Sequence, residues 1–228
     1  MACILNIETA TTVCSVSVSR NNELLAFKEI DNGFTHAENL HLFIETVLSE
    51  ARLSASQLAA IAVSKGPGSY TGLRIGVSAA KGLAYALQIP LISIDTLQVM
   101  AAAAAEQKAC DFYCPLVDAR RMEVYTAVYN QLLHRETAVE ALIADEHSIA
   151  KFRQYTSIGF FGDGMLKCKD LLGELGNAVF IDNITPSAKF MPALAFKKFS
   201  ENQFEDVAYF EPFYLKDFMI LKKKNSAE

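Results

Sequence analysis

The chain has 228 residues, half of them hydrophobic, with 15 Phe, no Trp and a formal net charge of −5. That length suits one large domain or two small ones with a sizeable core. The acidic balance argues against nucleic-acid binding by this chain alone, because phosphate neutralisation by Lys and Arg dominates such affinity. The one basic cluster, Lys222, Lys223 and Lys224, lies at the tail. The five cysteines (Cys3, Cys14, Cys110, Cys114, Cys168) are odd in number and form no C-x-x-C pair. They predict buried free thiols in a reducing compartment rather than a disulfide framework or a zinc site. Residues 1–20 lack a basic start and carry Glu8 within the apolar stretch, so no signal peptide is read. The longest apolar run is too short and alanine-rich to span a bilayer. The expectation is a soluble cytoplasmic protein with no membrane contact.

In chain order, residues 3–9 predict a buried first strand. Residues 12–19 alternate apolar with small polar residues, the mark of a strand with one wet face. Residues 24–30 make a third strand after the Asn21-Asn22 turn. Thr35 with Glu38 has capping-box spacing, and Leu40, Phe43, Ile44, Val47, Leu48 and Ala51 recur at helical spacing through residue 53. Strands follow at 58–64 and 90–95, with helices at 73–87 and 97–107. The order is βββαβαβα.

Between the fourth strand and the second helix runs K-G-P-G-S-Y-T-G-L-R-I-G, residues 65–76. Gly66, Pro67 and Gly68 are turn residues, and Ser69 or Thr71 can cap the helix. An exposed helix start offers free N–H groups to an anion; the same loop also reads as a plain βα turn. It is not a Walker A loop, since Leu73 follows Gly72, nor a dinucleotide fingerprint, since its glycines are spaced G-x-G-x-x-x-G. Nor is it a hydrolase elbow, since Pro67 and Thr71 flank Ser69 where glycines are needed.

The pattern then repeats. Strands are predicted at 113–118, 123–129 and 134–143, a helix capped by Asp145, a strand at 157–161, a helix at 165–175, a strand at 178–182 and a helix at 187–202. The duplication divides the chain at 108/109, with a cleft or face between the two halves. Residues 209–215 form an extended, proline-broken tail that runs back over the body. Two such halves resemble the superfamily of actin, hexokinase and the heat-shock chaperone ATPases, so the expected fold is α/β, two tandem RNase H-like/actin-like lobes. In that superfamily the hairpin turn of each half grips phosphate. Here those turns hold Glu8, Thr9, Ala10, Thr11 and Thr12, and Asp118, Ala119, Arg120 and Arg121. Gly162-Asp163-Gly164 is the adenosine-side loop or a plain strand-to-helix turn. Anion or nucleotide contacts on this reading are Glu8, Thr9, Ser69, Thr71, Arg120 and Asp163.

Three runs are more specific: G-P-G-S-Y-T-G-L-R-I-G-V-S-A-A-K-G-L-A at 66–84, I-L-N-I-E-T-A-T at 4–11 and L-V-D-A-R-R-M-E-V-Y at 116–125. They resemble the TsaB (YeaZ) family, the non-catalytic, glycoprotease-like relatives of TsaD. The resemblance implies a scaffold in the complex that makes N6-threonylcarbamoyladenosine at adenine 37 of tRNA. Its partners would be TsaD and the ATPase TsaE, with tRNA met through the complex. It also implies that Thr96 and Met100 stand where the catalytic relative carries an H-x-x-x-H metal pair. Neither replaces a histidine ligand, and His36, His41, His134 and His147, read as solvated or capping, do not rebuild the pair. No catalytic residue, metal or resident cofactor is therefore expected, and any nucleotide would sit at the complex interface. The implied partner face comprises Tyr70, Leu73, Arg74, Gly76 and Val77 with His41, Leu42 and Glu45, and an isolated copy can self-pair through it. Gly76 and Gly82 within one helix suit close approach of a helix, of this fold or of a partner. The competing reading is an independent ATPase or phosphotransferase using Glu8, Asp118 and the 162–164 loop.

Overall fold

The structure, a computed structural model, describes residues 1–33 and 35–216; the Lys222–224 cluster lies outside them. The strands are β1 (Cys3–Glu8), β2 (Val13–Arg20), β3 (Glu23–Asp31), β4 (Ala60–Gly66), β5 (Leu91–Asp95), β6 (Phe112–Asp118), β7 (Glu123–Thr126), β8 (Tyr129–Asn130), β9 (Glu140–Ile143), β10 (Ile158–Phe161) and β11 (Ala178–Phe180). The helices are α1 (His36–Glu50), α2 (Tyr70–Leu87), α3 (Thr96–Gln107), α4 (Glu146–Ile149), α5 (Met165–Gly173) and α6 (Pro192–Ser200). One sheet runs β3-β2-β1-β4-β5 and the other β11-β10-β6-β7-β9, with β8 paired to β6. In each, an antiparallel three-strand meander continues into parallel strands. The two sheets share one topology, the RNase H-like, actin-like arrangement expected from the element order.

The sheets part between α3 and β6, but the cores do not. α1 and α2 cover the face of the first sheet that carries Cys3, Leu5 and Ile7. Its other face, with Ile4, Ala60, Ala62, Ile92 and Ile94, is buried under Ala188, Met191 and Ala195 from the end of the second half. In return α3 sends Leu97, Met100, Ala101 and Ala104 onto Tyr113, Val117, Tyr129 and Phe161 of the second sheet. Each half thus lends its last helix to the other's core.

This exchange overturns the wet face expected of β2. Ser15, Ser17 and Ser19 are fully buried. The Ser17 hydroxyl donates to the Ala188 carbonyl (2.7 Å), and the Ala188 N–H donates to Ser15 Oγ (2.9 Å). The alternation is real, but its polar side meets backbone polar groups instead of water.

Three local expectations change as well. Thr35 makes no capping bond and its hydroxyl is buried without a partner, whereas Ser69 and Asp145 do cap their helices. The strand expected over 134–143 shrinks to β9, because the Asn130 side-chain oxygen accepts the N–H groups of Leu132 and His134 and turns the chain. The final helix starts at Pro192, whose missing N–H suits a first helical position.

Close approach, rather than conformational freedom, explains most of the loop glycines. A Cβ at Gly68 would collide with the Ala10 carbonyl, at Gly72 with the Thr9 carbonyl and at Gly76 with the Thr9 hydroxyl. Gly82 would meet nothing. Gly76→Ala is therefore expected to lower stability by about 1–3 kcal/mol through overpacking. Gly82→Ala is expected to raise it by up to about 1 kcal/mol, since an exposed helical Gly costs that much relative to Ala. Urea midpoints moving in opposite directions would bear this out; equal shifts would contradict it.

Candidate functional site

In α/β folds ligands gather at the carboxyl ends of parallel strands. Glu8 stands at the end of β1 and is fully buried. Its Oε1 accepts from the Ala10 N–H and the Ser64 hydroxyl, both at 2.7 Å, while Oε2 has no partner. Burial pushes its pKa up to about 7, against those hydrogen bonds. Burial, and then the Glu8 charge, also lifts the neighbouring Cys14 thiol to about 11. All five cysteines are buried and free.

The turn after Glu8 is locked onto the start of α2. Thr9 donates its hydroxyl to the Gly72 carbonyl (2.8 Å), and the Ser69 N–H donates to the Ala10 carbonyl (2.6 Å). Ser69 Oγ accepts from the Gly72 N–H (3.3 Å). His36, expected to be solvated or capping, is buried at the start of α1, with Nε2 2.7 Å from the Thr11 carbonyl. Of the anion contacts expected here, Glu8, Thr9 and Ser69 are turned to internal partners, and Thr71 stands exposed.

The second turn is also internally bonded. The Asp118 N–H donates to Asp163 Oδ1 (2.9 Å), and the Asp118 carboxylate accepts from the Arg120 N–H (3.0 Å) and pairs with Lys167. Lys167 Nζ also donates to the carbonyls of Arg121 (2.8 Å) and Glu123 (2.6 Å). Burial raises the Asp163 pKa. Arg120 and Arg121 are exposed at φ 67° and 47°. The glycines of 162–164 have a packing reason: a Cβ at Gly162 would come 2.5 Å from the Leu116 carbonyl, and one at Gly164 2.8 Å from Val124 Cγ1.

Thr96 and Met100, side by side on α3, are buried. The Thr96 hydroxyl has no partner, and the Met100 methyl lies 2.7 Å from where a Gly162 Cβ would be. A hydroxyl and a packed thioether do not fit the metal that a histidine pair would hold. Among the described residues no three of His, Cys, Asp and Glu come together as metal ligands, and no helix is long and apolar enough to cross a membrane.

The expected partner face divides in two. His41, Leu42 (57% exposed) and Glu45 do face solvent from α1, and Arg74 does from α2. Leu73 (0%), Gly76 and Val77 (3%) do not, and this corrects their assignment to an outer surface. Leu73, Val77, Ala80 and Ala84 follow the i, i+4, i+7, i+11 spacing of a core stripe. The outward side of α2 is instead Thr71, Arg74, Ser78, Gly82 and Tyr85, the last 80% exposed. Tyr70 is half-buried.

Glu8 makes a pH prediction. Its folded pKa of about 7 lies above the ordinary carboxylate value, so the native state holds a proton that the unfolded chain has released. Its contribution is full below about pH 4.5 and is lost as pH rises through 7, by about 3 kcal/mol at most. Glu8→Gln should flatten the pH dependence of the urea midpoint between about pH 5 and 7 and leave the variant more stable than wild type at pH 8. Parallel profiles for the two proteins would contradict this.

Comparison with known proteins follows the same lines. Residues 33–216 match the family model described as TsaD: tRNA N6-adenosine threonylcarbamoyltransferase. The chain is 31% identical over 227 residues to the tRNA threonylcarbamoyladenosine biosynthesis protein TsaB of Escherichia coli K12, covering 96% of this chain and 97% of that one. It is 27% identical over 237 residues to the TsaB of Haemophilus influenzae, with 96% of each covered. A crystal structure of a Pseudomonas aeruginosa protein with similarity to peptidase YEAZ superposes with a TM-score of 0.81 at 25% identity, over 95% of this chain and all of that one. Shared length, shared identity and shared fold agree, and the chain belongs to the TsaB (YeaZ) family.

Proposed function

We propose that this chain is a non-catalytic scaffold that binds TsaD and holds it active in the cytoplasmic complex making N6-threonylcarbamoyladenosine in tRNAs that read codons beginning with adenine. The names of its relatives, tRNA threonylcarbamoyladenosine biosynthesis protein TsaB, support the pathway. The observation that carries the scaffold role is the burial of Thr96 and Met100, with the Met100 methyl packed against Gly162 where a metal pair would have to open a cavity. TsaE joins at the junction of the two subunits, tRNA is met through the complex, and any nucleotide lodges there rather than in this chain. In isolation the same face pairs with a second copy.

The docking face on this reading is the outer side of α1 and α2: His41, Leu42 and Glu45 beside Tyr70, Arg74, Ser78, Gly82 and Tyr85. An exposed Gly inside a helix costs about 1 kcal/mol relative to Ala. Gly82 touches nothing in this chain that would justify that cost, and close approach of a partner helix would. Leu42 on α1 and Tyr85 on α2 supply large exposed apolar surface.

The variants that test this are confined to exposed positions. Val77→Glu would bury a carboxylate and report on folding alone. Leu42→Glu with Gly82→Arg should leave the circular dichroism spectrum unchanged and abolish co-elution with TsaD. Retained co-elution would remove this face from the interface. Calorimetry with ATP on the isolated chain should give no heat; tight binding with turnover would favour the independent ATPase.

A further inference from the structure

The end of the described chain lies across the proposed docking face. Phe210 is buried in the core under α2, and Lys81 Nζ holds the carbonyls of Ala208 (3.1 Å) and Phe210 (2.8 Å). Beyond that anchor come Glu211 and Pro212, and the contacts change character. The Phe213 N–H donates to the Lys65 carbonyl (2.7 Å), next to the end of β4, while its own ring is exposed. The Tyr214 ring stacks obliquely on Tyr70, with centroids 4.7 Å apart, and Arg74 Nε donates to the Tyr214 hydroxyl (3.3 Å). The Arg74 guanidinium also lies 4.3 Å from the Tyr70 ring centre. Lys216 then pairs with Glu123 and sits 5.9 Å over the Tyr125 ring, both on β7. Residues 211–216 thus run from the first sheet to the second, passing over the first turn of α2.

We propose that residues 211–216 are a displaceable strap that occupies the Tyr70–Arg74 corner in the free protein and gives it up when TsaD docks. The inference rests on the docking reading above. The Tyr70 ring and Arg74 Nε cannot serve Tyr214 and a partner helix at once. Among the described residues the strap is held by the Phe213 N–H, the oblique Tyr214–Tyr70 ring pair and surface polar contacts of Tyr214 and Lys216, a class that solvent competes with readily. The buried Phe210 and the Lys81 bonds mark where lifting would stop. A closed strap reduces apparent affinity by the fraction of molecules that are open. A strap closed nine-tenths of the time weakens docking about tenfold.

The test compares TsaD affinity, by calorimetry, for the full chain in four forms: wild type, Tyr214→Ala with Lys216→Ala, Phe213→Pro, and Leu42→Glu with Gly82→Arg. Phe213→Pro removes the N–H that bonds Lys65 together with the exposed ring, leaves Tyr214 and Lys216 in place, and serves if the double variant folds poorly. Both strap variants should bind about five- to tenfold tighter than wild type and exchange the amides of residues 70–74 faster. Unchanged or weaker affinity, with docking still lost in the Leu42→Glu/Gly82→Arg form, would overturn the strap and leave the docking face standing. Wild-type affinity in that last form would overturn the docking face and the strap as its competitor.

Discussion

One contact organises the first half of this molecule. The turn after β1 is seated against the backbone of the 66–76 loop and the first turns of α2. Gly68, Gly72 and Gly76 stand where any larger residue would strike Thr9 or Ala10. The Thr9 hydroxyl and Ala10 carbonyl then bond to that loop and helix. This seat fixes the end of β1 and, with it, the buried Glu8. It also fixes the start of α2, and so which residues of that helix turn outward. A hairpin turn held this way has its polar groups committed inside the protein.

The second half reaches a similar condition by other means. Lys167 from α5 spans Asp118 and the carbonyls of Arg121 and Glu123, and Asp163 takes the Asp118 N–H. The two strand ends where this fold ordinarily gathers ligands are thus bonded to their own chain. The exchange of last helices binds the halves further, through Ala188, Met191 and Ala195 on one sheet and α3 on the other. The helical surface of the first half, with Leu42 and Tyr85 exposed, is partly crossed by the chain's own tail. Strand ends bonded to their own chain, beside an exposed helical face, are the physical basis for the docking reading.

Much of this was legible in the residues. Period-2 and period-3.6 patterns carried the element order and the duplication, because those periods follow directly from strand and helix geometry. The capping role of Ser69 was one of two options, decided by where the loop turns. The serines of β2 do not reveal their cover, because small polar alternation looks the same whether water or a backbone covers it, and the covering segment is 171 positions from Ser17, at Ala188. The resemblance assigns Leu73 and Val77 to a partner face, although their spacing with Ala80 and Ala84 marks a core stripe. The reason for Gly76 could not be read locally at all, since Thr9 reaches it only after folding. The Tyr214 contact has the same origin, a pairing of distant segments that leaves no local pattern.

Hydrogen exchange on the full chain, alone and with the TsaD of the same organism, bears most directly on the claim that this protein acts through its surface. The account predicts slowed exchange along α1 and α2 with faster exchange in residues 211–216 when TsaD is bound. Slowing confined to the turns at 8–12, 118–122 and 162–164, with both helices unaffected, would contradict it.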